Sequence, residues 1–544
     1  MIDALNLKSS TMSFAIPTCQ QAVLRPRRLS ALTVSWRAGG AIRLLLLVAS
    51  LCLGLGGCAN PAAAPPNSAQ LPGKSYTIGL YPMAAYDQNV DHWIAPAGSD
   101  YDQPFLSAEE QRAHFKALYA RYFGVGANAP SPWNPVYVDA NVYRQAGRDI
   151  AALQRQRIAW FDNRGKTGGR IGYGGNFHPH TPDWIDAIAR NMDLGQFERT
   201  PSYTPARRAI ATGNLLVREL PTLDPSFYDP HLAGEGYPFD NLQISAIHPG
   251  TPLYVLGSSL DGAWRYVQTP DVQGWVRSED VSRVNDAFID TWRHLTRQTL
   301  GVVIEASVPV RDNQAVFRFD APAGTLLPVR APAVSGSFDV WLPVRDVEGQ
   351  AVIRSAQLSD TQIAPMPLSA TPRHLAMLLK TLIGRPYGWG NSGLYNDCSS
   401  ELQSIFVTFG VWLPRHSSNQ MSAGPMVDLS DATLAQRLDY LVHHGKPMRT
   451  LIYIGGHVML YLGNITRDQQ LVPLVYQDVW GLRPADNSRR AVIGGSVILP
   501  LLAGIPEDPA LASLAATPIF QLSIIGAPVA GVAVPSDDDA NPAS

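Results

Sequence analysis

The spacing of apolar residues predicts helices at both ends of the chain. Residues 104–124 carry a helical period that opens with Ser107 and Glu110, the spacing of a capping box. Residues 140–164 show the same period. Residues 372–384 begin with proline and end with glycine, the two residues that often mark the start and the end of a helix.

Between these helical regions, apolar and polar positions alternate over short segments. The alternation is clearest over residues 237–281, where Asp261 and Gly262 form a turn pair and Gly274–Val276 closes the pattern. A weaker copy of the pattern follows at about 300–360. The middle of the chain is therefore predicted to fold into two small β-barrels.

One predicted helix begins with a cysteine. After Cys398 the apolar residues recur at the i, i+3, i+4, i+7 spacing, and Asn396 and Asp397 before it are good cap residues. Cys398 is thus predicted in the first turn, where free backbone N–H groups and the helix dipole favour the thiolate. It is either a buried inert residue or a nucleophile, and the polar neighbours Asp397 and Ser399 favour the nucleophile.

The amino-terminal end has the pattern of a secretory leader. Arginines without acidic residues at 25–43 precede an apolar run from Leu44 to Leu55, which is too short to span a bilayer. The segment that ends at Cys58 resembles the lipobox of bacterial lipoproteins. The resemblance implies a lipid anchor on Cys58 as the first mature residue, at an outer membrane and facing the periplasm. An ordinary signal peptide cut nearby is the alternative.

The predicted leader leaves a single free thiol. The chain has four cysteines, of which Cys19 and Cys52 are removed with the leader and Cys58 is occupied by lipid. Cys398 then has no partner for an intramolecular disulfide.

Composition and histidine placement exclude several classes of ligand. A net charge of −2 and a pI near 6.6 argue against a nucleic-acid partner, because they imply no basic surface. His178 and His180 lie in a loop broken by proline, with no third ligand nearby, so we expect neither a metal nor another cofactor.

A second candidate catalytic residue lies in a strand-like run. His457 follows two glycines that leave room for a substrate backbone. Gln477, in the next strand-like run, can hold the imidazole in the tautomer that accepts the thiol proton. A histidine on a strand is more often structural, so its assignment as a base depends on Cys398.

These residues carry a family resemblance. The segments "RPYGWG", "NDCSS" and "GGHVMLYLG", within about 370–500, resemble the NlpC-type cysteine peptidases, papain-like enzymes that cut bacterial cell-wall peptides. The order of the upstream segments is similar to a multidomain branch with two Src-homology-3-like barrels. The resemblance implies Cys398 as nucleophile and His457 as base. The third residue, often a second histidine in the family, corresponds to Gln477.

The resemblance also implies a substrate, the γ-D-glutamyl-diaminopimelate bond of peptidoglycan stem peptides or muropeptides. The implied substrate-binding residues are Tyr387, Asp397, Ser399 and Ser417. Asp397 and Ser399 would help to hold a free L-Ala ammonium, so that unblocked stems are preferred. Tyr237, Phe239 and Asp240 of the first barrel are predicted to wall that end of the cleft.

The predicted fold class is α+β: a papain-like catalytic domain preceded by two SH3-like barrels and a mainly helical amino-terminal domain. The predicted boundaries are a signal peptide at 1–57, a tether at 58–78, a helical domain at 79–205, barrels at 206–288 and 296–365, a peptidase domain at 366–510 and a disordered tail at 527–544. Two other functions stay open: a catalytically weak or inactive peptidoglycan-binding lipoprotein, and another acyl chemistry such as an amidase. The sequence does not indicate an oligomeric state.

Overall fold

The computed structural model describes residues 77–143, 149–198, 202–229, 236–330 and 336–526. The predicted signal peptide, the predicted lipid anchor Cys58, nearly all of the tether and the predicted disordered tail lie outside these residues. Within the described part of the chain, no helix is both long and apolar enough to cross a membrane.

The amino-terminal region is mainly helical. The predicted capping box is present, since Ser107 Oγ accepts the N–H of Glu110 at 3.2 Å and Glu110 Oε2 accepts the N–H of Ser107 at 2.8 Å. Within the range predicted as helical, 140–164, an α-helix follows Asp149, whose carboxylate accepts the N–H of Ala152 at 2.6 Å. The strand and longer helices of this region are β1 (Thr77–Leu80), α1 (Ala108–Phe123), α2 (Ile150–Phe161) and α3 (Pro182–Asn191).

The first predicted barrel corresponds to an antiparallel sheet. Its strands are β2 (Arg208–Ala211), β3 (Leu215–Arg218), β4 (Gln243–Ile247), β5 (Pro252–Ser258), β6 (Trp264–Gln268), β7 (Gln273–Arg277) and β8 (Val281–Arg283). They are ordered β4-β3-β7-β6-β5-β2-β8. The Gly274–Val276 run lies in β7, where Trp275 is completely buried.

The second barrel follows a helix that the sequence analysis did not predict. This helix, α4 (Asp286–Gln298), is capped by Asn285, whose side chain accepts the N–H of Phe288 at 2.9 Å. The strands that follow are β9 (Leu300–Val303), β10 (Ser307–Arg311), β11 (Phe317–Pro322), β12 (Leu326–Arg330), β13 (Ser337–Arg345), β14 (Ala351–Ser359) and β15 (Ile363–Pro365). One sheet has the order β14-β13-β12-β9-β15, and β10 pairs with β11.

The carboxy-terminal domain packs helices against a mixed sheet. In chain order its elements are α5 (Pro372–Leu382), α6 (Cys398–Thr408), β16 (Met426–Asp428), α7 (Leu434–His444), β17 (Thr450–Tyr453), β18 (Val458–Arg467), β19 (Gln470–Leu482), β20 (Arg489–Pro500) and β21 (Gln521–Ile524). The sheet order is β1-β20-β19-β18-β17-β21-β16. The predicted cysteine therefore begins a helix that packs beside this sheet.

Two short strands correct the predicted domain boundaries. Strand β21 lies between β17 and β16, so the carboxy-terminal domain continues past the predicted end at 510. Strand β1, assigned from the sequence to the end of the tether and the start of the helical domain, pairs in parallel with β20 of the same sheet. Both strands are four residues long, and their partners lie far away in the sequence, so no local pattern marks them.

A continuous hydrophobic core joins parts of several predicted domains. It includes buried residues of α1, α4, the second barrel, α5 and α6, and of the carboxy-terminal sheet. Leu118, Trp292, Val340, Leu379 and Phe406 are members from five of these elements. The first barrel has a small hydrophobic core of its own. A second buried cluster is formed between this barrel and the helices α2 and α3. The helix that carries the cysteine thus shares its core with the upstream segments.

Candidate active site

The cysteine lies at the amino-terminal end of α6, as its cap pattern predicts. The Asp397 side chain accepts the N–H groups of Ser399 at 3.2 Å and Ser400 at 3.0 Å, and Ser400 Oγ accepts the N–H of Asp397 at 2.9 Å. This reciprocal cap satisfies donors that the first helical turn leaves without partners. Cys398 is therefore the first residue of the helix.

The Cys398 side chain is buried, with 6% of its surface exposed. Its sulfur accepts a hydrogen bond from the backbone N–H of Val458, the residue that follows His457 in the chain. The fold thus brings the predicted nucleophile against the first residue of β18, which directly follows the predicted base, although 59 positions separate Cys398 from His457 in the sequence.

The predicted base and its predicted orienting residue are in direct contact. His457 Nε2 lies 2.7 Å from Gln477 Oε1. An amide oxygen only accepts hydrogen bonds, so this contact places a proton on Nε2 and leaves the Nδ1 lone pair free for a thiol proton. Gly455 and Gly456, with φ of +79° and +82°, form the left-handed turn that leads into His457.

The resting charge state of the pair differs from the prediction. Burial raises the pKa of Cys398 to about 12, and the Asp397 carboxylate adds to the rise. Burial lowers the pKa of His457 to about 4. The helix start was predicted to favour the thiolate, and this is wrong for the resting protein, because desolvation of the sulfur outweighs the N–H groups around it. Thiol and imidazole are both neutral near pH 7, so the proton has to leave sulfur during attack.

A neutral resting thiol predicts the pH dependence of alkylation. The rate of Cys398 modification by iodoacetamide should keep rising from pH 6 to pH 10, because the thiolate fraction grows about tenfold per pH unit below the pKa. The rate is measured by mass spectrometry of the Cys398-containing peptide, with N-acetylcysteine as the reference thiol. A plateau that begins below pH 7 would instead show a thiolate–imidazolium pair at rest.

Two of the predicted substrate-binding residues lie around the cysteine, and a third lies in a following turn. Tyr387 is partly buried, and burial raises the pKa of its hydroxyl well above the ordinary value, with the neighbouring Cys398 and Asp397 adding to the rise. Ser399 is buried, and its Oγ donates to Asp397 Oδ1 at 3.1 Å. Ser417 is partly exposed in the turn after Arg415.

The fourth predicted substrate-binding residue, Asp397, is paired with a buried arginine of the same domain. Its carboxylate forms an ion pair with Arg415, at 2.5 Å from Nη2 and 3.1 Å from Nη1, and both side chains are buried. Burial raises the pKa of Asp397, but the Arg415 guanidinium, together with hydrogen bonds from Ser400 and Ser399, more than reverses this, so that the pKa lies below its ordinary value. Its charge is therefore balanced within the protein by Arg415, and its role in holding a substrate ammonium stays a prediction.

The first barrel contributes one aromatic wall to this site. The ring of Phe239 lies 5.2 Å from Trp389, 5.6 Å from Trp480 and 6.4 Å from Tyr387, measured between centroids. The other two predicted wall residues are placed elsewhere. Tyr237 is 64% exposed and packs on Phe177 and Phe227, whereas Asp240 is paired with Arg218 inside the barrel at 3.0 Å.

Comparison with known protein families agrees with this geometry. Residues 384–472 match the NlpC/P60 family, and residues 225–277 and 285–332 match an SH3 domain of SH3b1 type and an SH3 domain of SH3b2 type. The chain contains an NlpC/P60 domain. The predicted α+β fold class, with two SH3-like domains before the peptidase domain, is confirmed. The NlpC/P60 match includes Cys398 and His457, whereas Gln477 lies beyond its end.

Sequence relatives of the NlpC/P60 domain are peptidases by name. The chain is 37% identical over 82 residues to a gamma-D-glutamyl-L-lysine dipeptidyl-peptidase of Bacillus subtilis (strain 168). It is 30% identical over 98 residues to the protein of the same name from Bacillus cereus. These matches cover 14% and 18% of this chain and span only 28% and 29% of the relatives' length.

A solved structure is similar over most of the chain. It is an NlpC/P60 endopeptidase from Photobacterium damselae subsp. piscicida, with a TM-score of 0.70 and 26% sequence identity. The similarity covers 84% of this chain and all of that one, so it includes the barrels as well as the NlpC/P60 domain. The match to the NlpC/P60 family supports the prediction that this chain is a cysteine peptidase.

Three ionisable residues near the NlpC/P60 site were not found from the sequence. Arg415 lies two residues before Ser417, in a segment where only Ser417 was predicted to bind substrate. Glu401 and Asp478 are each 1% exposed, and Glu401 accepts hydrogen bonds from Tyr476 and Ser496. Burial raises the pKa of Asp478 well above its ordinary value, with the charge of Glu401 adding to the rise. Asp478 directly follows Gln477 in β19.

The described residues give no sign of a metal centre. Among them, no group of three or more histidine, cysteine, aspartate or glutamate side chains is placed to hold a metal ion. His180 stacks on Trp184 with 3.6 Å between ring centroids and contacts the carbonyl of Pro225 at 3.0 Å, while His178 is exposed.

Proposed function

We propose that this chain is a cysteine endopeptidase that hydrolyses the γ-D-glutamyl-diaminopimelate bond of peptidoglycan stem peptides. The observation that carries the proposal is the 2.7 Å contact between His457, directly before β18, and Gln477 of β19, the two strands beside α6. With Cys398 at the start of α6, this contact supports an arrangement of thiol, base and orienting amide, which nucleophilic acyl transfer needs. The names of the Bacillus relatives and the SH3-type domains support a γ-D-glutamyl peptide of the cell wall as the substrate.

The first half of the reaction forms a thioester. As the Cys398 sulfur attacks the γ-carbonyl carbon, its proton passes to His457 Nδ1. The N–H groups of Ser399 and Ser400 are engaged by Asp397, so the Cys398 N–H remains at the helix start to stabilise the oxyanion. When the tetrahedral intermediate collapses, the C–N bond breaks and the imidazolium of His457 protonates the leaving amine of the diamino acid.

The second half regenerates the enzyme. Water attacks the thioester carbonyl while His457 takes one of its protons, and the C–S bond breaks as that proton returns to sulfur. Gln477 stays neutral throughout and holds the imidazole by its Nε2 proton. Because an amide is not charged, it stabilises the imidazolium less than a carboxylate would.

The aromatic wall supports a preference for short, unblocked stem peptides. Phe239 of the first barrel packs beside Tyr387 and Trp480. We propose that this wall closes one end of the substrate cleft, where a peptide with a free L-Ala fits better than a stem attached to glycan. We further propose that the enzyme works in the cell envelope, held by a lipid on Cys58 on the periplasmic side of the outer membrane.

The proposal is tested with defined peptides. Purified protein is incubated with L-Ala-γ-D-Glu-diaminopimelate, with its N-acetylated form and with the peptide that has L-Lys as third residue, and products are identified by mass spectrometry. We expect L-Ala-D-Glu from the free tripeptide, in larger amounts than acetyl-dipeptide from the blocked one. Release of L-Ala alone, or of ammonia, would indicate a different acyl chemistry. Equal turnover of the free and blocked tripeptides would refute only the preference for unblocked stems.

A further inference from the structure

Arg415 is the buried centre of a polar network beside the cysteine. Its side chain is 3% exposed and donates to oxygens from three separate segments of the chain. Nη1 and Nη2 reach both oxygens of Asp397, and Nη1 also reaches Ser399 Oγ. Nη2 donates to Asn391 Oδ1 at 3.3 Å, and Nε donates to Ser245 Oγ at 3.1 Å.

One of these partners belongs to the first barrel. Ser245 lies in β4, whose other residues also contact the loop before α6. Gln243 Nε2 donates to the carbonyl of Gly390 at 2.9 Å, and the N–H of Ala246 donates to Asn391 Oδ1 at 3.4 Å. Strand β4 therefore holds the loop that leads from Tyr387 to Cys398.

The contact between barrel and loop is too close for a side chain at position 390. Gly390 has φ of +59°, and a Cβ there would lie 2.4 Å from the carbonyl oxygen of Gln243. Its N–H donates to Asp397 Oδ2 at 3.1 Å. Strand β4 is thus linked to the helix cap Asp397 by two hydrogen-bonded chains, one through Gly390 and one through Arg415.

The network also sets the charge next to the sulfur. Asp397 precedes Cys398, and its buried carboxylate opposes ionisation of the thiol, whereas the Arg415 guanidinium favours it. Removing one member of a buried ion pair leaves the other charge uncompensated in a poorly solvated place. Loss of Arg415 alone should therefore disfavour the thiolate, and loss of both charges should not.

We infer that Arg415 is a positioning residue that couples the contact of β4 in the first barrel to the geometry and charge at Cys398. The NlpC/P60 domain is then catalytically active only while β4 contacts the loop that leads to Cys398. The hydrolysis readout of this inference rests on the proposed function, whereas the alkylation readout does not.

A charge cycle in the full chain tests the inference. The variants are Arg415→Gln, Asp397→Asn and the double variant, and the rate of Cys398 alkylation is followed against pH. We expect Arg415→Gln to slow alkylation at pH 8 by about tenfold, the effect of one unit of thiol pKa, and the double variant to restore the rate. His457, Tyr387 and Asp478, which also face the site, are unchanged in all three. An unaltered alkylation profile in Arg415→Gln, with only a lower unfolding temperature, would overturn the inference.

A second pair of variants tests the barrel contact if Arg415→Gln fails to fold. Ser245→Ala removes the bond from β4 but no charge, and Ser245→Thr keeps the hydroxyl. We expect Ser245→Ala to lower kcat on the tripeptide severalfold with little change in KM, and Ser245→Thr to retain kcat. Equal kcat in the two variants would remove the proposed coupling. If the unaltered protein cleaves no peptide, the alkylation cycle still decides the role of Arg415.

Discussion

Replacing Cys398 by alanine is expected to abolish cleavage of L-Ala-γ-D-Glu-diaminopimelate, with a loss in kcat of about 10⁴-fold or more. The substitution removes the atom that forms the thioester, and no other cysteine is available in residues 59–544 to replace it. Alanine fits the same space at the first position of α6 and keeps the Asp397 cap, so the fold should be retained. The measurement is dipeptide release under saturating substrate, with the unfolding temperature as the check on folding.

The same variant separates peptidase activity from wall binding. If the barrels hold cell-wall material, Cys398→Ala should still bind purified sacculi while it no longer cleaves peptides. Cys398→Ser is the matched control, because serine keeps a hydroxyl of similar size that His457, with its low pKa, activates poorly. Should the unaltered protein and Cys398→Ala bind sacculi equally and both leave every peptide intact, the chain is an inactive wall-binding protein instead.

Replacing His457 by alanine is expected to lower kcat by about 10³-fold, within the range for loss of a general base. The low pKa of His457, about 4, means that the imidazole is neutral and ready to accept a proton at pH 7. Without it, the thiol of Cys398 has to ionise unaided, and its pKa of about 12 makes this rare. Activity of His457→Ala should therefore rise steeply with pH, whereas activity of the unaltered enzyme should change little between pH 6 and pH 8.

His443→Ala is the control for the His457 variant. His443 is exposed at the end of α7 and contacts the carbonyl of Asp439 in its own helix, so its loss should leave kcat unchanged. If His457→Ala keeps the activity and pH profile of this control, another group accepts the thiol proton and the assignment of His457 fails.

The sequence predicted the parts of the site that depend on local patterns. The cap at Asp397 and the helical period behind it place Cys398 correctly, because capping and amphipathic spacing act within one or two turns. The pairing of His457 with Gln477 was also predicted, because both lie in adjacent strand-like runs of a hairpin. Their catalytic roles stay predictions until the variants are measured.

The sequence did not predict features that depend on tertiary contacts. The pKa of Cys398 was expected in the wrong direction, because the pattern shows the helix start but not how deeply the sulfur is buried. Arg415 was missed because its partners lie 18 residues away at Asp397 and 170 residues away at Ser245. Strand β21 escaped prediction for a similar reason, since it inserts beside β17 from the far end of the domain.

The neutral resting state of Cys398 has a consequence for the lifetime of the enzyme. With a pKa of about 12, only about one thiol in 10⁵ is ionised at pH 7. Peroxides attack thiolates, so the idle sulfur resists conversion to sulfenic acid. In the proposed reaction the proton leaves sulfur only as the C–S bond forms and returns as that bond breaks, so the sulfur is shielded from peroxide during turnover as well as at rest.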